Sequence, residues 1–146
     1  MTPKEYLSQV KRLNILINQR MQEKTELQQY LFSGAGAVRY DKDKVQNSPQ
    51  GEAPFTRTIE NIDELERDIN SKIDELFLMK NRIISEIHAL SDASYIDLLY
   101  RKYIQLQPLK RIAAEMGYSY QSAVNLHGWA LKAFEEAFPD YFQKDV

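Results

Sequence analysis

The sequence predicts an all-α protein: a long antiparallel helical hairpin with coiled-coil character, followed by a small C-terminal helix-turn-helix bundle. Three observations predict it. Apolar residues recur every three or four positions before residue 33 and every seven after residue 54. Glycine and proline, the strongest helix breakers, gather between those stretches at Gly34, Gly36, Pro49, Gly51 and Pro54. The segment Pro108 to Leu126 carries a helix start, a stop, a cap and apolar positions in the order that two crossing helices need.

Pro3 suits a first helical turn, and Tyr6, Val10, Leu13, Ile17 and Met21 then form one stripe of an amphipathic helix reaching about Phe32. The stripe weakens at Lys24 and resumes at Leu27 and Leu31. The connection 33–54 is long for a linker, which makes Arg39, Tyr40, Lys44 and Gln46 candidates for a binding role. Its Gly34-Ala35-Gly36 run lacks the third glycine, the preceding strand and the following helix of a phosphate-binding loop, and reads as a flexible loop.

From Phe55 to Leu90 there is no proline or glycine, and Phe55, Ile62, Ile69, Leu76, Ile83 and Leu90 fall every seven residues. The companion row Ile59, Glu66, Ile73, Lys80, Ile87 is broken twice, and Leu65 and Met79 supply apolar surface at the breaks. The seam offers more apolar surface than the stripe of residues 6–31 can cover. Those six residues are therefore the candidate oligomerisation surface, and a homodimer or higher homo-oligomer is expected. The organisation that follows is a hairpin over residues 1–90 and a helix-turn-helix domain over 91–146.

In a chain of 146 residues, 19 Lys and Arg against 21 Asp and Glu give a net charge of -2, so any basic footprint must be local. Residues 94–134 are the basic part, with Arg101, Lys102, Lys110, Arg111 and Lys132 against Asp97 and Glu115, whereas the helix after residue 54 is acidic. The absence of cysteine removes thiolate chemistry and fits a reducing cytosol. No run approaches the roughly 20 apolar residues of a membrane span, so a cytoplasmic protein without membrane contact is expected. His88 and His127 have no acidic residues at ligand spacing, and Asp63-Glu64 and Asp74-Glu75 lie in a charged helical face, so no metal site, cofactor or catalytic residue is expected.

The informative stretch is Pro108-Leu109-Lys110-Arg111-Ile112-Ala113-Ala114-Glu115-Met116-Gly117-Tyr118-Ser119-Tyr120-Gln121-Ser122-Ala123-Val124-Asn125-Leu126. Pro108 opens a helix, Gly117 takes the left-handed conformation that ends it, and Ser119 caps the next. Ile112, Met116, Tyr118, Ala123 and Leu126 fall where the two helices face each other, and Ala113 permits their close approach. On the second helix Gln121, Asn125 and Gly128 point outward and Trp129 is half exposed. In a DNA-binding reading, Tyr120, Gln121, Ser122 and Asn125 enter the major groove, while Lys110, Arg111, Arg101, Lys102 and the Ser119 cap meet phosphates.

Tyr103 to Leu131, with Tyr118-Ser119 at the turn and Leu126-His127-Gly128-Trp129-Ala130-Leu131 after it, resembles the region-four helix-turn-helix of bacterial sigma factors. Lys4-Glu5-Tyr6-Leu7, the linker Asp43 to Gly51 and the helix Ile59 to Leu90 are similar to a family of phage and prophage proteins of Gram-positive bacteria. Those proteins join a helical hairpin to a sigma-like domain and are related to the ArpU-type late transcriptional regulators. The resemblance implies a phage-encoded, DNA-binding regulator of transcription in the host cytoplasm, with double-stranded DNA and RNA polymerase as expected partners. Members of the family usually carry Arg or Lys along the second helix, where this chain has Gln121, Asn125 and Trp129. The alternative is a non-enzymatic interaction module that uses the coiled coil and the tail Phe138 to Phe142 to bind a host or phage protein.

Overall fold

The computed structural model describes residues 1–33 and 52–143, which are helical with no strand among them. The elements are α1 (Pro3–Leu7), α2 (Gln9–Phe32), α3 (Glu52–His88), α4 (Ala93–Leu99), a π-helical turn (Tyr100–Ile104), α5 (Leu109–Met116), α6 (Tyr120–Ala137) and a 3₁₀ turn (Pro139–Phe142). Arg39, Tyr40, Lys44 and Gln46 lie outside the described residues. No helix is long and apolar enough to cross a membrane among those described.

The chain divides into two compact units, Met1–Asn14 with Leu76–Val146 and Ile15–Glu75. These units do not meet at residue 90, where the sequence reading placed its boundary. The last turns of α3 and the first turns of the chain join the C-terminal helices, because Ile83, Ile87 and Leu90 share a core with Leu7, Val10, Leu98, Leu99, Ile112 and Phe134. Burying that set removes enough apolar surface to offset the ordering of short helices that would be marginal alone.

Local chemistry explains the ends of these elements. Thr2 and Glu5 form a reciprocal capping box, with the Glu5 amide donating to Thr2 Oγ1 at 3.2 Å and the Thr2 amide to Glu5 Oε2 at 3.0 Å, and Pro3 follows where no amide is needed. The expected single helix is interrupted at Ser8, whose amide and hydroxyl both donate to the Lys4 carbonyl, at 3.0 and 2.6 Å. Asp92 caps α4 by accepting from the Ser94 amide at 2.9 Å, and the hydrogen bond from the Ser94 hydroxyl, then that from the amide, holds its carboxyl below the ordinary range. The π turn closes with the Gln105 amide donating to the Tyr100 carbonyl at 3.0 Å, and Leu106 then takes a left-handed φ of 58°.

In the second unit, α2 and α3 run antiparallel, since Arg20 pairs with Asp68 at 3.3 Å and Lys24 with Glu66 at 3.0 Å. Ile17, Ile62, Leu65 and Ile69 are buried there. Most of the seam read from the sequence as an oligomerisation surface is accounted for within the chain. Ile62, Ile69, Ile83 and Leu90 are buried by their own chain, Leu76 is half-buried, and only Phe55, at 50 % exposure, is free. Met21, expected in the first stripe, is exposed because it lies beyond the buried positions of α2.

Candidate nucleic-acid interface

Helices α5 and α6 are joined by three residues, Gly117, Tyr118 and Ser119. Gly117 sits at φ 75° and ψ 26°, a conformation that costs an L-residue about 1 kcal/mol, and the Tyr118 amide donates to the Ala113 carbonyl at 2.9 Å to close α5. Ser119 Oγ accepts from the Ser122 amide at 3.1 Å and starts α6. Ile112, Ala113, Ala123, Leu126, Ala130 and Phe134 are buried on the facing sides of the two helices and beneath them. Met116 is half-buried, and Tyr118 is 43 % exposed, which corrects its assignment to the facing surface.

Burial of Ala123, Leu126 and Ala130 fixes what α6 presents outward. Tyr120, Gln121, Ser122, Asn125, Gly128 and Trp129 are exposed, with Trp129 at 59 %. The Gln121 amide nitrogen donates to Asn125 Oδ1 at 3.2 Å, so the two carboxamides are aligned one turn apart. Such a pair offers both donors and acceptors, the chemistry that adenine edges require. Tyr120 and Lys110 line an open depression of about 470 Å³ together with Pro108 and Leu109.

The cations expected to meet phosphates fall into two groups. Arg101 is held between Asp97 at 2.8 Å and Glu115 at 2.5 Å, and Arg111 pairs with Glu115 at 3.0 Å. The hydrogen bond that Arg101 donates to Asp97, then the charges of Asp97 and Glu115, raise the Arg101 value further. The field of both guanidinium groups is thus largely cancelled within the chain. Lys110 is exposed, and Lys102 rests with its ammonium 5.7 Å from the centre of the Tyr103 ring; neither makes an ion pair among the described residues.

Two polar contacts, one buried and one partly buried, were not apparent in the sequence. Tyr6 donates its phenol to both oxygens of Glu86, at 2.6 and 2.9 Å, while Arg82 stands 3.8 Å from the same carboxylate. Burial first, then the hydrogen bond to Glu86, push the Tyr6 phenol well above its usual value. Tyr103 and His127 share a hydrogen bond at 2.6 Å. Burial first, then the charges of Lys102 and Lys4, lower the His127 value to about 4, so the imidazole is neutral at pH 7. Neither contact has a local signature, because the partners lie on different elements far apart in the chain.

No protein-family profile, curated protein or solved structure matches the chain.

Proposed function

We propose that the chain binds double-stranded DNA through α5 and α6 and regulates transcription, as the resemblance to sigma region four and to phage regulators implies. The observation that carries this reading is the exposed face of α6. Its inward side is closed by Ala123, Leu126 and Ala130, while Gln121 and Asn125 stand outward, aligned by their mutual hydrogen bond, just past a capped helix start. In this reading the two carboxamides contact base edges, Lys110 contacts a phosphate beside the groove, and the Ser119 cap and free amides at the start of α6 contact another. One motif of this size reads few base pairs, so specificity requires a second copy or RNA polymerase alongside.

The test is binding of the full chain to fragments of its own genome, followed at two salt concentrations. Gln121→Ala or Asn125→Ala should cost about 1–3 kcal/mol on the preferred site and little on scrambled sequence. Lys110→Ala should weaken every sequence and reduce the salt slope by about one unit. Equal losses on specific and scrambled DNA for Gln121→Ala would remove that residue from the reading surface.

A second reading is favoured by the exposed aromatics. Tyr118, Tyr120 and Trp129 are 43 %, 58 % and 59 % exposed in the region where Arg101 and Arg111 are internally neutralised. Aromatic rings of this kind are enriched at protein-binding hot spots. Under this reading Trp129→Arg destroys binding of a host or phage protein, whereas under the DNA reading it leaves affinity equal or higher.

A further inference from the structure

In the second unit the two sides of the α2–α3 pair carry opposite chemistry. Arg20 and Glu23 of α2 line one shallow depression with Glu64 and Asp68 of α3, so these four stand on the same side of the pair. Ion pairs close that side: Arg20 with Glu23 at 2.9 Å and Asp68 at 3.3 Å, and Lys72 with Asp68 at 3.4 Å. The other side is apolar. At about 100° per residue, Met21 and Phe32 lie roughly 40–60° around α2 from buried Ile17, in the opposite sense from Arg20 and Glu23. By the same count Phe55, Ile59 and Ile73 lie roughly 50–90° around α3 from the line of Ile62, Leu65 and Ile69, in the opposite sense from Glu64 and Asp68. The five therefore share the side away from the ion pairs, and all are exposed. Ile15, Leu16 and Tyr30 are exposed as well, but on the back or the charged side of α2.

We propose that this apolar side, with Met21, Phe32, Phe55, Ile59 and Ile73, docks on the same side of a second copy of the chain, forming a four-helix arrangement. A surface that packs on its own copy must not repel itself. Here the flank of α2 presents Asn18, Met21, Thr25, Gln28 and Phe32, none of them charged. On α3 the acid within the face, Glu66, is already paired with Lys24 at 3.0 Å, and Asp63 lies further round, at the rim. The area is sufficient. The five apolar side chains expose on the order of 500 Å² per copy. With Asn18, Thr25 and Asn70 beside them, two copies bury more than roughly 1,000 Å², the size that a specific interface needs. The pair also gains from a cover, since the four apolar residues it encloses, Ile17, Ile62, Leu65 and Ile69, are none of them completely buried. This pairing does not rest on the DNA-binding reading, but it supplies the second copy which that reading calls for.

The experiment is sedimentation velocity of the full chain without DNA, at tens of micromolar. The parent should sediment as a dimer. The double variant Ile59→Lys, Ile73→Lys should sediment as a monomer and keep its helical circular dichroism, because both residues are exposed within their own chain and only the second copy encloses them. Ile15→Lys, a comparably exposed residue off the face, should leave the dimer intact. If the double variant does not fold, the milder single changes Met21→Gln and Ile73→Gln should each raise the dissociation constant at least about tenfold, the loss expected of a residue inside an interface. A monomeric parent overturns the proposal and leaves the face to a partner of another kind. An assembly that persists in the double variant or, where that variant does not fold, is unmoved by the two single changes also overturns it. So does an assembly that Ile15→Lys disrupts equally. Because no DNA is present, failure of the base contacts on α6 leaves this result unmoved, and a monomeric parent leaves the reading of α6 standing.

Discussion

Ile69 and Ile83 lie two heptads apart on one helix, yet they stand in different kinds of core. Ile83 belongs to a set with Phe134, Leu7, Val10, Ile87, Leu98, Leu99 and Ile112 whose side chains are fully buried, all within the first unit. The second unit buries only Ile17, Ile62, Leu65 and Ile69, none of them completely, and leaves Ile15, Met21, Phe55, Ile59 and Ile73 exposed among its described residues. The same sequence periodicity therefore has two energetic outcomes. Where several elements converge, each heptad residue is enclosed on all sides. Where α2 alone faces α3, the seam is thin and stability is low.

The contrast can be broken most severely at Phe134, whose ring contacts Tyr6, Phe138 and Phe142 at centroid separations of 5.0 to 6.0 Å. Phe134→Ala should cost about 3–5 kcal/mol in urea unfolding, because it opens a cavity that the surrounding helices cannot close. Ile69→Ala should cost about 2 kcal/mol, at the low end for such a truncation, since a two-helix seam relaxes more readily. Hydrogen exchange distinguishes the two. The second change should accelerate exchange in 15–33 and 55–75 while protection in 109–137 persists, and uniform acceleration would show that the units unfold together.

A smaller effect should follow acidification. The His127 value falls to about 4 in the folded chain from an ordinary 6.5, so its contribution is complete above pH 6.5 and is lost as pH drops toward 4. With partial exposure taken into account, unfolding free energy should decline by about 1–2 kcal/mol across that interval. His127→Gln should flatten this part of the profile. The smallest change is Trp129→Ala, which should alter stability by no more than about 0.5 kcal/mol because the ring is mostly solvent-facing. Its fluorescence should begin near that of an exposed indole and shift to the blue when the surface of α6 is covered.

What could be read from the sequence was what neighbours in the chain determine. Pro3, Gly117 and Ser119 act within a few residues, so their roles follow from spacing, whereas the Thr2 and Asp92 caps obey the same spacing but were not singled out. The interruption at Ser8 was missed because a serine at that position also reads as an ordinary exposed residue. The π turn was missed because one extra residue in a turn leaves no compositional mark. The site was less legible than the fold. Arg101 within four residues of Asp97 invited an ion pair, but its partner Glu115 lies fourteen residues on, on another helix.

Two elbows bracket α5: Leu106 before it at φ 58° and Gly117 after it at φ 75°. Leu106 has a side chain that opposes this conformation by about 1 kcal/mol, a cost the surrounding packing must offset. With both bends fixed, the eight residues of α5 set the phase of everything downstream. One residue more or fewer would turn Ser119 and the whole of α6 by about 100°. Over evolutionary time the span 106–119 should therefore accept exchanged side chains and refuse changes in length. In natural variants of this chain, insertions and deletions should accumulate elsewhere.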